Sequence, residues 1–274
     1  MLTRRIPKTG EELPVIGIGT WERFDVGAKD SNRQDLQQVL STLFASGGTV
    51  IDSSPMYGQA EGVVGDLLRV MPGMQPDRHG PFVATKVWTQ GKAEGVKEME
   101  RSEKLMGGRL DLIQVHNLLD WQSHLATLKA WKHSGRIRYM GITHYTPSAH
   151  GELETVMRAA DWDFVQLDYS LEDRAAETRL LPLAQERGMA VIVNRPLGGG
   201  GLIRRLVKRP LPDWARQAGY GSWAELLLKF ILARTEVSCV IPGTGDPAHM
   251  TEFVRAGEGT LPDEVMRKKM IALI

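Results

Sequence analysis

Four side chains that could move a proton lie near the ends of short apolar segments of the sequence: Asp52, Tyr57, Lys86 and His116. Lys86 lies in the segment 82–88, where apolar residues flank it on both sides. A lysine in such a segment must find a charged partner or extend to solvent. Asp52, at the end of another apolar segment, can supply that partner.

Together, these side chains suit protonation of a carbonyl oxygen. A free phenol has a pKa of about 10, so Tyr57 by itself is a poor proton donor near neutral pH. An ammonium nearby lowers a phenol pKa, and a shift of about two units corresponds to roughly 2.7 kcal/mol. With Asp52 holding Lys86 and His116 donating to the substrate oxygen, we expect a site that adds hydride and a proton to a carbonyl. Each side chain alone also has a structural explanation, such as a turn, a helix cap or a buried core histidine.

The elements that must position these residues alternate along the chain. The predicted strands are residues 15–19, 49–53, 82–87, 110–116, 139–144, 164–169, 190–194 and 238–241. The predicted helices are residues 33–46, 62–70, 93–106, 121–133, 152–159 and 181–187. Several strands are apolar on both faces, which is typical of parallel strands covered on both sides.

This alternation predicts an α/β fold, either an open doubly wound sheet or a (β/α)8 TIM barrel. Eight strands within 274 residues favour the barrel, which takes about 250 residues. An open dinucleotide-binding sheet would need Gly-x-Gly-x-x-Gly, and residues 17–22 lack the third glycine. We expect one domain over residues 1–274, a short N-terminal β-hairpin around Thr9 and Gly10, and a C-terminal helix. The glycine-rich segment 197–213 is predicted to be an irregular loop that covers a cofactor.

Composition and charge exclude several classes of protein. Lys and Arg number 34 against 33 Asp and Glu, and this net charge of +1 argues against nucleic acid or anionic membrane as a partner. The basic residues at 204, 205, 208 and 209 are expected in a solvated loop. No segment has the roughly 18–20 apolar residues of a membrane span, and no signal peptide is recognisable, so we expect a cytoplasmic protein. The single cysteine, Cys239, is expected to be an inert buried thiol.

The motifs around the four proton-moving residues resemble those of the aldo-keto reductase family. Residues 52–58, Asp-Ser-Ser-Pro-Met-Tyr-Gly, match the family's D-[ST]-[SA]-x-x-Y-G, and segments 84–86 and 112–116 match its lysine and histidine motifs. Further matches extend the resemblance over almost the whole chain, from residues 17–21 to 240–244. The resemblance implies a barrel that binds NADPH without a metal and reduces aldehydes or ketones. It also implies that Tyr57 is the acid, Lys86 and Asp52 adjust its acidity, and His116 orients the carbonyl.

The resemblance further implies a set of cofactor contacts. The Ser-Asn pair that holds the nicotinamide carboxamide falls on Thr143 and His144, and the family's carboxamide glutamine falls on Gln166. The aromatic residue that often stacks on the nicotinamide falls on Asn194, and Arg195 follows it with a charge that could reach the pyrophosphate. The complete expected set is Gly19, Thr20, Trp21, Asp52, Thr143, His144, Gln166, Asn194, Arg195, Leu197, Gly199, Gly243, Thr244, His249 and Glu252.

The adenosine end departs from the family pattern. Where the family often has Lys-Ser and a later Arg for the 2′-phosphate, this chain has Gly243, Thr244 and His249, and Glu252 takes the position that usually contacts adenine. A histidine is only partly charged near neutral pH and cannot form the bidentate hydrogen bonds of an arginine guanidinium. NADPH remains the expected cofactor, with NADH as the alternative.

Trp21, Met56, Trp88 and Asn117, from the first four loops, are expected to wall the substrate pocket. Their types favour aromatic or apolar carbonyl substrates. We expect a small-molecule carbonyl as the partner and a monomer or weak homo-oligomer.

Two other functions remain open at this stage. One is a regulatory or sensor protein that binds a nicotinamide cofactor with little turnover, because positions 194, 195 and 249 differ from the family pattern. The other is a metal-dependent barrel hydrolase or isomerase, although none of the common metal, phosphate or nucleophile motifs occurs.

Overall fold

The computed structural model describes residues 1–27, 32–74 and 80–274. Eight of its strands form one parallel sheet, in which each strand pairs with the next in chain order. They are β3 (Gly17–Gly19), β4 (Val50–Asp52), β5 (Phe82–Val87), β6 (Leu112–His116), β7 (Tyr139–Thr143), β8 (Phe164–Asp168), β9 (Ala190–Asn194) and β10 (Val237–Val240). A parallel bridge between Ile16 and Val240 joins the first strand to the last. The predicted (β/α)8 barrel is confirmed.

Alternation along the strands separates the inside of the barrel from the outside. On β6, Leu112 packs with the apolar cluster that fills the barrel, whereas Ile113 and Val115 pack with the larger cluster beneath the helices. Because side chains on a strand alternate, Gln114 and His116 share the inner face with Leu112. The same alternation brings Asp52 on β4 and Lys86 on β5 to the inner face, near the carboxyl ends of their strands.

Helices surround the sheet. They are α1 (Asn32–Ala45), α2 (Ala60–Val70), α3 (Lys92–Leu105), α4 (Trp121–His133), α5 (His150–Ala159), α6 (Leu180–Glu186), α7 (Gly201–Leu206), α8 (Asp213–Gln217), α9 (Trp223–Leu232), α10 (Pro247–Ala256) and α11 (Glu264–Ile271). The six helices predicted from periodicity are confirmed, with ends that differ by two residues or fewer. In α1, the residues that set the helical spacing are Leu36, Val39, Leu40 and Leu43, and all four are buried.

The predicted hairpin closes the amino-terminal end of the barrel. Strand β1 (Thr3–Arg5) pairs with β2 (Glu12–Pro14) in an antiparallel manner, and the connection contains Gly10 with a φ of 74°. Ile6 and Leu13 are buried in the cluster inside the barrel. The opposite, carboxyl-terminal opening, called the mouth below, is therefore the open end.

The segment 197–213 is not the irregular loop predicted from its glycines. Gly198–Gly200 forms a 3-10 turn, and α7 follows directly. Leu202 and Leu206, four residues apart, are both buried, and their burial stabilises a helix that the glycines obscure in the sequence. Arg204 and Arg205 therefore lie on α7, exposed to solvent, and the expectation of a basic loop is wrong for these two residues.

Candidate active site

A buried ion pair lies on the inner face of the barrel, at the ends of β4 and β5. Nζ of Lys86 is 2.5 Å from Oδ2 of Asp52 and donates a second hydrogen bond to the carbonyl oxygen of Ser53 at 2.7 Å. Lys86 is completely buried and Asp52 is 2% exposed. Burial by itself lowers the pKa of Lys86, but the charges and hydrogen bonds of Asp52 and Tyr57 more than offset this, and the pKa is raised. Lys86 therefore stays charged.

Tyr57 lies beside this pair in the turn that follows β4. Its backbone N–H donates to the carbonyl oxygen of Ser54 at 3.0 Å, and Nζ of Lys86 is 5.0 Å from the centre of its ring. The expectation that the ammonium leaves Tyr57 with a lowered pKa is wrong for this structure. Burial of the phenol raises its pKa by more than Lys86 lowers it, and the negative charge of Asp52 adds to the increase. The phenol is consequently protonated near neutral pH.

His116 packs edge-on against the Tyr57 ring, with 5.8 Å between ring centres. Burial, followed by the charge of Lys86, lowers the pKa of His116 to about 2, so the imidazole is neutral. Nδ1 lies 2.9 Å from Oγ of Ser54, which also accepts the backbone N–H of Met56 at 3.4 Å. The hydroxyl hydrogen of Ser54 is then available for Nδ1, and we infer that the imidazole carries its own hydrogen at Nε2.

The residues expected at the nicotinamide carboxamide also come together. Oε1 of Gln166 accepts the hydroxyl of Thr143 at 3.3 Å and the amide of Asn194 at 3.4 Å. Oδ1 of Asn194 is buried and has no hydrogen-bond partner among the described residues. Since an unpaired buried acceptor is costly, this oxygen fits the amide hydrogens of a bound carboxamide. The residues present therefore fit a nicotinamide cofactor.

The side chain of Thr20, an expected cofactor contact, is hydrogen-bonded within the protein. It is completely buried, and its hydroxyl donates to the carbonyl oxygen of Asp52 at 3.1 Å and to Oγ of Ser53 at 2.9 Å. The side chain of Thr20 supports the end of β4 instead. Its neighbour Gly19 approaches the 241–243 segment so closely that a Cβ would lie 3.0 Å from the carbonyl oxygen of Ile241.

Arg195 occupies a left-handed position, with a φ of 48°, directly after β9. Its guanidinium lies 5.8 Å from the ring centre of Tyr145, which stacks on His144 at 5.6 Å. A Cβ at Gly199 would lie 2.7 Å from Nη2 of Arg195, so a larger residue there would require the guanidinium to shift. Leu197, which lies between Arg195 and Gly199 in the sequence, is half-buried. Burial lowers the pKa of His144, which is therefore mostly neutral.

The residues expected at the adenosine end lie around the start of α10. Oγ1 of Thr244 is 3.5 Å from Nδ1 of His249, whose Nε2 is 3.9 Å from the carboxylate of Asp246. Gly243 is exposed, and Glu252 is half-buried on α10. An acidic group thus stands beside the one histidine that takes the place of the family's arginine.

Each residue expected in the substrate wall follows one of the strands β3 to β6, at the same end of the barrel as the tetrad, Asp52, Tyr57, Lys86 and His116. Trp21 is 56% exposed, Met56 38% and Trp88 41%, and the Trp88 ring lies 6.3 Å from His116. Asn117 follows β6 in a left-handed conformation with a φ of 51°. Its Oδ1 is buried without a hydrogen-bond partner in the part of the chain that the structure describes.

Gln114 and Ser54 are site residues that the sequence reasoning missed. Both are completely buried and bond directly to members of the tetrad. The available signal was Gln114 itself, a polar residue two positions before His116 in an otherwise apolar strand.

The described residues contain neither a cluster that could bind a metal ion nor a helix that could span a membrane. No group of three or more His, Cys, Asp or Glu side chains within residues 1–27, 32–74 and 80–274 is placed to hold a metal ion. None of the helices in these ranges is both long and apolar enough to cross a membrane.

Comparison with known proteins places these findings in context. The model of the family described as "Aldo/keto reductase family" matches residues 15–271. Methylglyoxal reductase YeaE of Escherichia coli (strain K12) is 28% identical over 248 residues, which cover 88% of this chain and 84% of that protein. The NADH-specific methylglyoxal reductase of the same organism is 26% identical, over 83% of this chain and 78% of that protein.

Solved structures agree with the sequence relatives. An aldo-keto reductase from Klebsiella pneumoniae, determined in complex with NADPH, superimposes with a TM-score of 0.81. It is 25% identical, and the match covers 100% of this chain and 95% of that one.

Proposed function

The chain belongs to the aldo/keto reductase family, and on that premise we propose that it reduces an aldehyde or ketone with Tyr57 as the proton donor. It is an NAD(P)H-dependent oxidoreductase that acts on carbonyl compounds. The observation that carries the assignment of residues is the completely buried Lys86–Asp52 ion pair beside a protonated phenol. A buried ion pair contributes little net stability, so its position next to Tyr57 supports a role in chemistry.

When bound, NADPH or NADH supplies the hydride. Gln166, Thr143 and Asn194 would hold its carboxamide, with Oδ1 of Asn194 as the unpaired acceptor. Arg195 would approach the pyrophosphate. The family relatives include an NADPH complex and an NADH-specific enzyme, which supports either coenzyme for this chain. NADPH is our first choice.

The tetrad has the properties that protonation of a carbonyl needs. Nε2–H of His116 donates to the carbonyl oxygen and fixes its position, because the imidazole is neutral and Nδ1 is occupied by Ser54. The hydroxyl of Tyr57 donates its proton to the same oxygen as negative charge develops there. The ammonium of Lys86 stabilises the phenolate that remains, and Asp52 keeps Lys86 in place.

Substrates follow from the pocket wall and from the relatives. Trp21, Met56 and Trp88 provide apolar surface around few polar groups, which favours aromatic or apolar carbonyl compounds. The relatives named methylglyoxal reductases make this small 2-oxoaldehyde a second candidate.

The deciding experiment measures oxidation of NADPH and NADH with methylglyoxal and a series of aromatic aldehydes. We expect turnover by the unmodified protein, and Tyr57→Phe to lower kcat/KM by about a hundredfold or more. Tyr220→Phe removes a phenol hydroxyl far along the chain and should leave the rate unchanged. Equal rates for the unmodified protein and Tyr57→Phe would contradict the assignment of Tyr57.

We also propose a cytoplasmic location and a monomer or weak homo-oligomer. The buried free thiol of Cys239 is compatible with a reducing compartment. Light scattering on the purified protein tests the oligomeric state.

A further inference from the structure

The two oxygens of the Asp52 carboxylate have different partners. Oδ2 faces Lys86, whereas Oδ1 accepts amide hydrogens from Gln114 and from Gln166, each at 2.9 Å. Nε2 of Gln166 also lies 3.3 Å from Oε1 of Gln114, so the two amides are joined to each other. All of these groups are 2% exposed or less.

Gln114 is held in place by the register of the barrel. It pairs with Lys86 on β5 and with Gly141 on β7. A Cβ at position 141 would lie 3.1 Å from Cγ of Gln114, so the glycine leaves the room that this side chain occupies. A polar side chain of this size inside the barrel requires partners, and Gln114 donates to Asp52 and accepts from Gln166.

We propose that Gln114 is a positioning residue, which orients the Asp52 carboxylate toward Lys86 and thereby supports proton donation by Tyr57. This inference rests on the proposed function. Gln166 donates to the same oxygen but also contacts the expected cofactor residues Thr143 and Asn194. Gln114 bonds to Asp52 and to Gln166, and among the described residues it has no hydrogen bond of its own to Thr143 or Asn194.

The effect on Tyr57 follows from charge. The negative charge of Asp52 raises the pKa of Tyr57, and the charge of Lys86 lowers it. An amide hydrogen on Oδ1 offsets part of the carboxylate charge and keeps Oδ2 aimed at the ammonium. Without Gln114, the carboxylate would keep one donor at Oδ1, and its orientation would be less well defined. The phenol would then be a weaker acid, which lowers the rate of proton transfer without altering the substrate wall.

The test is a double-mutant cycle of Gln114→Met with Tyr57→Phe, measured as kcat and KM for carbonyl reduction. We expect Gln114→Met to lower kcat about tenfold in the presence of Tyr57, with little change in KM for substrate or coenzyme. In the Tyr57→Phe background the same substitution should leave the residual rate unchanged, because there is no phenol to act on. Equal losses in both backgrounds would overturn the proposal and assign Gln114 a structural role.

Ile113→Val is the matched control, since it trims a buried side chain on the same strand that packs beneath the helices. It should leave kcat unchanged. If Gln114→Met fails to fold, Gln114→Asn keeps an amide that is too short to hold Oδ1 and should give the same pattern. If Tyr57→Phe itself has no effect on the rate, the proposed function fails; if only Gln114→Met has none, this inference alone fails.

Discussion

Oγ of Ser54 lies 2.9 Å from Nδ1 of His116, and both side chains are buried. Because this contact occupies one nitrogen of a neutral imidazole, it decides which nitrogen carries the hydrogen.

Ser54→Ala should remove this preference. We expect the Nε2–H form to lose population and kcat/KM for carbonyl reduction to fall about three- to tenfold. Nitrogen NMR of the His116 side chain reports the tautomer directly. Ser54→Thr keeps the hydroxyl and should retain both the tautomer and the rate; an Nε2–H signal undiminished in Ser54→Ala would exclude this role.

Lys86→Met should be costly for folding as well as for turnover. It leaves Asp52 buried without its cation, and we expect a loss of about 3–5 kcal/mol in the free energy of unfolding. The double variant Asp52→Asn with Lys86→Met removes both charges and should recover most of the stability but not the rate. Denaturant titration and kcat/KM of the unmodified protein and the two variants give the comparison; recovery of activity in the double variant would argue against a role for the ion pair in proton transfer.

The raised pKa of Tyr57 predicts how reduction depends on pH. A phenol whose pKa lies above its ordinary value of about 10 stays protonated through neutral and mildly alkaline pH. We therefore expect kcat/KM for reduction to stay level up to about pH 9 and to fall only above pH 10. A fall centred near pH 8 would contradict the balance between burial and Lys86.

His116 makes the free energy of unfolding depend on pH in the acidic range. Its folded pKa of about 2 lies below its unfolded value of 6.5, so the unfolded chain binds more protons as pH falls below 6.5. The free energy of unfolding should then decrease by up to about 1.4 kcal/mol per pH unit between pH 6.5 and the acid limit. Denaturant titrations at several pH values measure this slope. In His116→Gln the slope should be smaller, and an unchanged slope would assign the acid sensitivity to other groups.

His249→Arg tests the adenosine end. The substitution adds a full positive charge and a bidentate hydrogen-bond donor next to Thr244. We therefore expect it to strengthen NADPH binding relative to NADH binding about tenfold. Titration of tryptophan fluorescence with each coenzyme measures the two dissociation constants. His249→Gln, which adds no charge, is the control and should leave the ratio nearly unchanged. A ratio that also stays constant in His249→Arg would place the 2′-phosphate elsewhere.

Much of this site could be predicted because strands impose their own geometry. Asp52 and His116 end two apolar segments, Lys86 lies one residue before the end of a third strand, and alternation brings all three to one face. Gln114 was missed because the apolar segment around it predicts a buried strand but does not show that the Gln114 side chain has a polar partner inside the barrel. The direction of the Tyr57 pKa could not be predicted, since it depends on how deeply the ring is buried, which spacing does not reveal. In the 197–213 segment, the glycines obscured the pair Leu202 and Leu206 that folds α7.

The hairpin that carries Ile6 and Leu13 closes one end of the barrel. The coenzyme and the carbonyl compound must therefore both enter through the mouth. Gln166 sits deep in that passage, 2% exposed, whereas Trp21 and Trp88 stand at its rim. With the coenzyme bound at the buried amide and the carbonyl compound against the exposed tryptophans, as proposed above, we expect the coenzyme to bind first and to leave last.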